Sequence, residues 1–203
     1  MKLYFSAGSC GLAPQIALRE AGRPFDMVAV DFKTKTTAEG DYFQVTPKGA
    51  VPALQLDDGD VLTEAAVILQ WIADRNPADG LLPPFGSRAR YMALEWLNFV
   101  ATDLHRGFAV LFSPFLERVA KTRFFEGNLS SKFAYVDEHL SINDYVLGDR
   151  FCVADAYLYN VLSWSPRVDV DLSEHAFIRK FMARMELRPS VRASLEAEGL
   201  RAR

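Results

Sequence analysis

The sequence predicts two folding units in one chain, a mixed α/β half followed by an all-α half. Three observations carry this. Short apolar, β-prone runs alternate with helical periodicity only before residue 76. Proline and glycine then crowd the stretch Asn76-Pro77-Ala78-Asp79-Gly80 and Pro83-Pro84-Phe85-Gly86, the punctuation of an inter-domain linker. Beyond it, apolar residues recur at helical spacing and no strand pattern returns. The 203 residues have room for two small domains. Half the residues are apolar and 24% are charged, enough to bury a core without disulfides or a structural metal. The domains read as 1–80 and 87–203.

The elements follow in order. Lys2-Leu3-Tyr4-Phe5 is a short strand, and Ser6 to Ser9 a turn. From Gly11 the pattern is helical through Leu12, Ile16 and Ala17, with Pro14 in the first turn and Gly22 as the stop. Phe25 to Val30 is a second strand, rich in β-prone Met27, Val28 and Val30. This β-α-β unit predicts parallel strands. Residues 31–48 read as polar and irregular. A strand from Val51 to Leu56, a turn at Asp57-Asp58-Gly59-Asp60 and a return through Val61-Leu62-Thr63 make a hairpin. Thr63 is placed to cap a helix from Glu64 to Asp74 that buries Val67, Ile68, Trp71 and Ile72. The order β-α-β then β-β-α is that of a thioredoxin-like domain. In the second half, a long helix spans Ser87 to Phe112, with Tyr91, Leu94, Leu97 and Val100-Ala101 on one stripe. Others follow near Thr122–Leu140, Cys152–Ser165, His175–Leu187 and Ser190–Glu198, an all-helical bundle.

Composition excludes several classes. The net charge of −3 argues against nucleic acid as a partner. No run approaches the ~18 apolar residues of a membrane span, and the start of the chain is too polar for a secretory signal. Two cysteines, Cys10 and Cys152, lie in different halves, which excludes a disulfide scaffold and points to a reducing, cytoplasmic setting. His105, His139 and His175 show no metal-ligand spacing, so no metal is expected. Phosphate-loop, dinucleotide and serine-hydrolase motifs are absent.

Four places carry candidate chemistry. Cys10 sits between the first strand and the first helix, where the helix start would favour a thiolate or donate to the sulfur of a bound thiol. A buried structural cysteine is the alternative. Ala13 stands where a C-x-x-C partner would be, so a dithiol centre is excluded. Val51-Pro52 enters a strand through a proline; a cis bond would turn the Val51 backbone toward a peptide-like ligand, and a plain turn proline is the commoner case. Glu64-Ala65 opens a helix whose N–H groups suit a carboxylate, with Glu64 beside them to pair with an ammonium group; a dipole-stabilised glutamate is the commoner case. Asn98, Thr102 and His105 share one helix face, flanked by Asp103 and Arg106, a solvated face or the wall of a cleft.

Together these pieces resemble a cytosolic glutathione S-transferase over essentially the whole chain. The resemblance rests on Met1-Lys2-Leu3-Tyr4 through Cys10 and Ala13, on Pro47-Lys48-Gly49-Ala50-Val51-Pro52-Ala53-Leu54, and on Leu62-Thr63-Glu64. It continues at Glu95-Trp96-Leu97-Asn98-Phe99 and Phe151-Cys152-Val153-Ala154-Asp155-Ala156-Tyr157. Cys10, where other classes carry Tyr or Ser, with Leu104-His105 on the long helix, is similar to the bacterial beta class. The resemblance implies that Cys10 contacts the glutathione sulfur. Val51 would pair by its backbone with the cysteinyl part beside a cis Pro52, Glu64 and Ala65 would hold the γ-glutamyl end, and Lys35 would reach the glycine carboxylate. His105 would be a second catalytic group with Arg106 beside it. Asn98, Thr102 and Asp103 would reach the site across a homodimer interface. Glutathione is then a co-substrate, with no resident cofactor, and the helical domain supplies dimer contacts and a pocket for a small apolar electrophile. Phe108, Phe112 and Trp164 are candidates to line that pocket, although aromatics at this spacing are more often core. Ala65 departs from the family's usual Ser, Thr or Gly. Cys152 stands where the family caps the buried helix with Ser or Thr, so the capping box with Asp155 is expected to lose its best donor–acceptor.

Three chemistries are compatible with this pattern. One is conjugation, in which a bound glutathione thiolate attacks an electrophilic carbon. Another is thiol–disulfide exchange or reductive dehalogenation, in which Cys10 attacks and a second glutathione resolves the adduct. The third is ligand carriage without catalysis.

Overall fold

The computed structural model describes residues 1–200, which form two compact units. Among the described residues, one comprises Met1–Leu82 together with 186–200; the other is Pro83–Met185.

The first unit is built on a four-stranded sheet with strand order β2-β1-β5-β6. Strand β1 (Lys2–Phe5) pairs in parallel with β2 (Asp26–Ala29), in register Leu3 to Met27. Its other edge pairs antiparallel with β5 (Ala53–Gln55), Leu3 opposite Leu54, and β5 forms the predicted hairpin with β6 (Val61–Thr63). Helix α1 (Leu12–Glu20) crosses between β1 and β2 and buries the seven residues Leu12 to Leu18. It ends as Gly22 predicts: with Gly22 at φ 60°, the Arg23 N–H reaches Leu18 O at 2.9 Å and the Gly22 N–H reaches Arg19 O at 3.1 Å. The segment read as irregular contains a small hairpin, β3 (Thr36–Thr37) and β4 (Gly40–Asp41), and a 3₁₀ turn at Tyr42–Gln44. Its two-residue strands are too short for alternation to register in the sequence. Tyr42 from this turn packs with Tyr4, Val30, Val51 and Ala53.

Helix α2 (Ala65–Asp74) differs from its predicted form in two ways. Its N-cap is Glu64, not Thr63, and no side chain caps it. Its buried stripe is Ala65, Ile68, Leu69, Ile72 and Ala73, whereas Val67 is 47% exposed and Trp71 only half-buried. Positions i, i+3, i+4, i+7 and i+8 counted from Ala65 face the core, which rotates Val67 outward.

In the second unit, Ser87 caps α3 (Arg88–Phe99) by accepting the Arg90 N–H. The helix continues through a six-residue π-helical segment, Val100–His105, into α4 (Arg106–Leu111), as the single long helix predicted. Its buried face runs through Ala93, Trp96, Leu97, Val100, Leu104 and Phe108; Tyr91 is instead 65% exposed. Helix α5 (Arg118–Phe124) begins earlier than expected and joins α6 (Ser130–Ser141) through a second π segment, Phe125–Leu129. All ten residues of α7 (Val153–Leu162) are buried. Its start keeps a capping box: Asp155 accepts the Cys152 N–H at 2.8 Å and the Val146 N–H at 2.8 Å, while the Cys152 sulfur faces the Asp155 N–H. The box is therefore retained with sulfur, a weak acceptor, in place of a hydroxyl. Helix α8 (Ala176–Glu186) closes the unit.

The helical half was expected to extend to residue 203. Helix α9 (Pro189–Ala197) instead packs on α1 in the first unit. Two polar links accompany this packing: Glu198 accepts from the Gly8 N–H at 2.7 Å and from Gln15 Nε2 at 3.0 Å.

Candidate active site

Cys10 lies between β1 and α1, packed so closely that a Cβ on Gly11 would come within 2.9 Å of Phe5 Cβ. The thiol is 9% exposed and donates to Val51 O at 3.3 Å. Burial pushes its pKa up to about 12; the nearby Glu64 and Glu198 charges add to this, against a lowering by backbone hydrogen bonding. The helix start was expected to hold a thiolate here. Desolvation outweighs it, and at neutral pH Cys10 is a protonated donor. The Val51-Pro52 peptide is cis, and Val51 is buried with its carbonyl engaged by that thiol.

Glu64 adopts φ 71°, ψ 116°, a conformation that side-chain-bearing residues rarely enter and that costs roughly 1–3 kcal/mol. It leaves the uncapped start of α2 open beside Ala65, while the exposed Glu64 carboxylate pairs with Lys48 Nζ at 2.7 Å. Lys48 also donates to Thr63 Oγ1 at 2.9 Å. Lys35, at φ 55°, donates to Gly49 O at 2.9 Å and lies over the Phe32 ring. In the first unit the candidates Cys10, Lys35, Val51, Pro52 and Glu64 thus lie in loops, and Ala65 is the first residue of α2. Glu198, from the far end of the chain, is buried, and burial raises its pKa to about 7 against the lowering by its Gly8 and Gln15 bonds.

The other five predicted residues lie in the helical unit, four of them in or beside the π-helical turn. Such insertions are frequent at functional sites. His105 Nδ1 is 2.7 Å from the Tyr157 hydroxyl, and its ring meets Trp164 edge-on at 4.9 Å. Thr102 donates to Asn98 O at 3.0 Å and to Asp103 Oδ2 at 2.9 Å. Asp103 pairs with Lys132 at 3.0 Å, and the Lys132 bond holds its carboxyl below the usual range. Asn98 and Arg106 are exposed. Phe108 and Trp164 are core residues, whereas Phe112 is 37% exposed. Phe112 lines a cavity of about 550 Å³ whose wall is part apolar, with Leu111, Leu116 and Phe125, and part charged, with Arg118, Arg167 and Asp171.

Lys48, Tyr157 and Glu198 were not read as site residues. Lys48 and Tyr157 stand inside the quoted motifs, but their partners become visible only when the chain is folded. Glu198 is 190 residues from Gly8, and no local pattern signals such a contact. Among the described residues, no group of three or more His, Cys, Asp or Glu could hold a metal ion. No helix among them is long and apolar enough to cross a membrane.

The family model for the glutathione S-transferase N-terminal domain matches residues 9–75, and that for the C-terminal domain matches residues 125–189. Glutathione S-transferase GstA of Escherichia coli O157:H7 is 46% identical over 99% of this chain and 100% of its own. The chain belongs to the glutathione S-transferase family. Solved structures agree. BphK, a bacterial transferase determined as a ternary complex, superposes with TM-score 0.95 at 45% identity, covering 98% of this chain and 100% of that one. A sphingomonad glutathione S-transferase complexed with glutathione gives 0.93 at 42% identity, over 99% and 100% of the two chains. The beta-class enzyme of Sphingomonas chungbukensis gives 0.92 at 39% identity, with the same coverage. This transferase is thus of the bacterial beta-class kind, with a thioredoxin-like N-terminal part and a helical C-terminal part.

Proposed function

We propose that this transferase binds glutathione in its first unit and transfers the bound thiolate to an electrophilic carbon. The observation that carries this reading is the state of Cys10. Buried and protonated, its thiol suits donation to a neighbouring sulfur anion and is a poor nucleophile itself. The nucleophile then comes from glutathione, whose sulfur would exchange places with Val51 O as the acceptor of the Cys10 proton. Val51 would hold the cysteinyl part beside Pro52. The open start of α2 at Ala65 would take the γ-glutamyl carboxylate and Glu64 its ammonium group. Lys35 would swing from Gly49 O to the glycine carboxylate. His105, oriented by Tyr157, would act as the second catalytic group with Arg106 nearby. Asn98, Thr102 and Asp103 would contribute through a homodimer. The cavity at Phe112 would take a small apolar electrophile, lying on Leu111, Leu116 and Phe125 among the charged side chains that complete the lining. Glutathione serves as co-substrate with no resident cofactor, and the enzyme works in the cytoplasm.

Replacing Cys10 by Ala tests this. We expect glutathione conjugation to an aryl halide to fall by about 10- to 100-fold and still be measurable, the loss of one hydrogen bond to a charged group. A structure with glutathione should show no sulfur–sulfur bond to Cys10 in the wild type. Abolished conjugation together with a Cys10–glutathione disulfide would instead assign the exchange chemistry.

A further inference from the structure

A separate cavity of about 610 Å³ opens between the C-terminal end of α1 and the N-terminal end of α9. Arg19, Arg23 and Arg188 line it, against a single carboxylate, Glu20, in a chain whose net charge is −3. Arg188 grips Glu20 with two bonds of 2.8 Å, and the Ser190 hydroxyl donates to the same carboxylate. These contacts satisfy Glu20. Arg19 and Arg23 stand outside that exchange. The Nε of each is buried and has no hydrogen-bond partner. Arg19 Nη2 reaches Gln15 only at 3.5 Å, and its guanidinium lies over the Phe25 ring at 5.4 Å. Buried guanidinium N–H groups without acceptors cost free energy that an incoming anion returns.

The local charge balance says which anion. Three guanidinium groups less one carboxylate leave two positive charges, the complement of a phosphate monoester near neutral pH. A dianionic phosphate can accept from both unpartnered Nε–H groups and balance both charges, whereas a single carboxylate balances only one. Phe25 and Pro24 supply an apolar wall. We propose that this cavity is a phosphate-binding site, in which Arg19 and Arg23 clamp the phosphate and an attached organic group lies on Phe25 and Pro24. It shares no residue with the proposed glutathione site.

Calorimetric titration and thermal unfolding of the full chain test this, with inorganic phosphate and phenyl phosphate as probes against sodium chloride at matched ionic strength. We expect saturable binding with a rise in Tm, at least tenfold weaker in R19Q and in R23Q, with the KM for glutathione unchanged. R23K, which keeps the charge but loses the planar fork, should bind more weakly than wild type even if R23Q folds poorly. Tighter binding of phenyl phosphate than of phosphate assigns an organic ester; equal binding assigns the free anion. No saturable binding above the chloride control, or equal affinity in wild type and the arginine variants, would overturn the proposal.

Discussion

Two residues show how burial redirects chemistry that local context would favour. Cys10 stands just before a helix, where a thiolate is usually stabilised, yet desolvation wins and the pKa rises to about 12. Iodoacetamide should therefore label Cys10 in the native chain at pH 7 at least about tenfold more slowly than in the unfolded chain. The rate should climb as the pH approaches 12. Rapid labelling at neutral pH would show an activated thiol and remove the basis for treating Cys10 as a donor. Glu198 is the second case. Its folded pKa of about 7 lies above the ~4.3 of an unperturbed glutamate, so the native state holds its proton more tightly. The stability this contributes is complete below about pH 4.3 and is lost as the pH rises through 7. Glu198→Gln cannot ionise. The Tm of the wild type relative to E198Q should fall between pH 4.5 and pH 7, measured by calorimetry across that range. A constant difference would mean that the carboxylate ionises as it does in water.

At the scale of elements, the start of α7 offers a direct comparison of sulfur with oxygen. Cys152 occupies the N-cap while Asp155 completes the box. A hydroxyl at that position accepts the Asp155 N–H better than sulfur does. Cys152→Thr should raise Tm by about 1–3 °C, the equivalent of a fraction of a cap interaction in a chain of this size; an unchanged or lowered Tm would show that packing of the sulfur matters more. Elements of this kind were legible in advance. Period-2 and period-3.6 patterns located β1, α1, β2, the hairpin and α7. Gly22 marked the end of α1 because only its backbone freedom allows the closing bonds there. Of the candidate site, the positions of Cys10 ahead of α1 and Glu64 at the start of α2 and the cis Val51-Pro52 bond were legible in the motifs. The strained backbone of Glu64 was not, because nothing in a glutamate announces a positive φ. The Lys48 bridge, the Tyr157 bond to His105 and the Glu198 links were equally hidden, since each joins groups from separate segments. The stripe of α2 was misplaced because Val67 and Trp71 are apolar, and exposed apolar residues are ordinary.

At the scale of the whole molecule, the division of the chain in space departs from its division in sequence. The Pro/Gly stretch marks one boundary, but the last helix belongs with the first strand. A chain ending at residue 185 would lose the helix that covers α1 and both Glu198 bonds, along with the Glu20–Arg188 pair. Its first unit should unfold well below that of the 203-residue chain, by 10 °C or more if about 3–5 kcal/mol of packing is lost. Its capture by immobilised glutathione should fail in parallel. Unchanged melting would mean that α9 is a passenger. The same arrangement sets an order of events during synthesis. The helical unit is complete once residue 185 has left the ribosome and can fold on the nascent chain. The first unit, although its sheet is translated earlier, must wait for α9 and Glu198, because these follow the whole helical unit in the chain. A chain released before residue 198 thus cannot close its first unit, and the segment 186–198 acts as a check that everything ahead of it has been made.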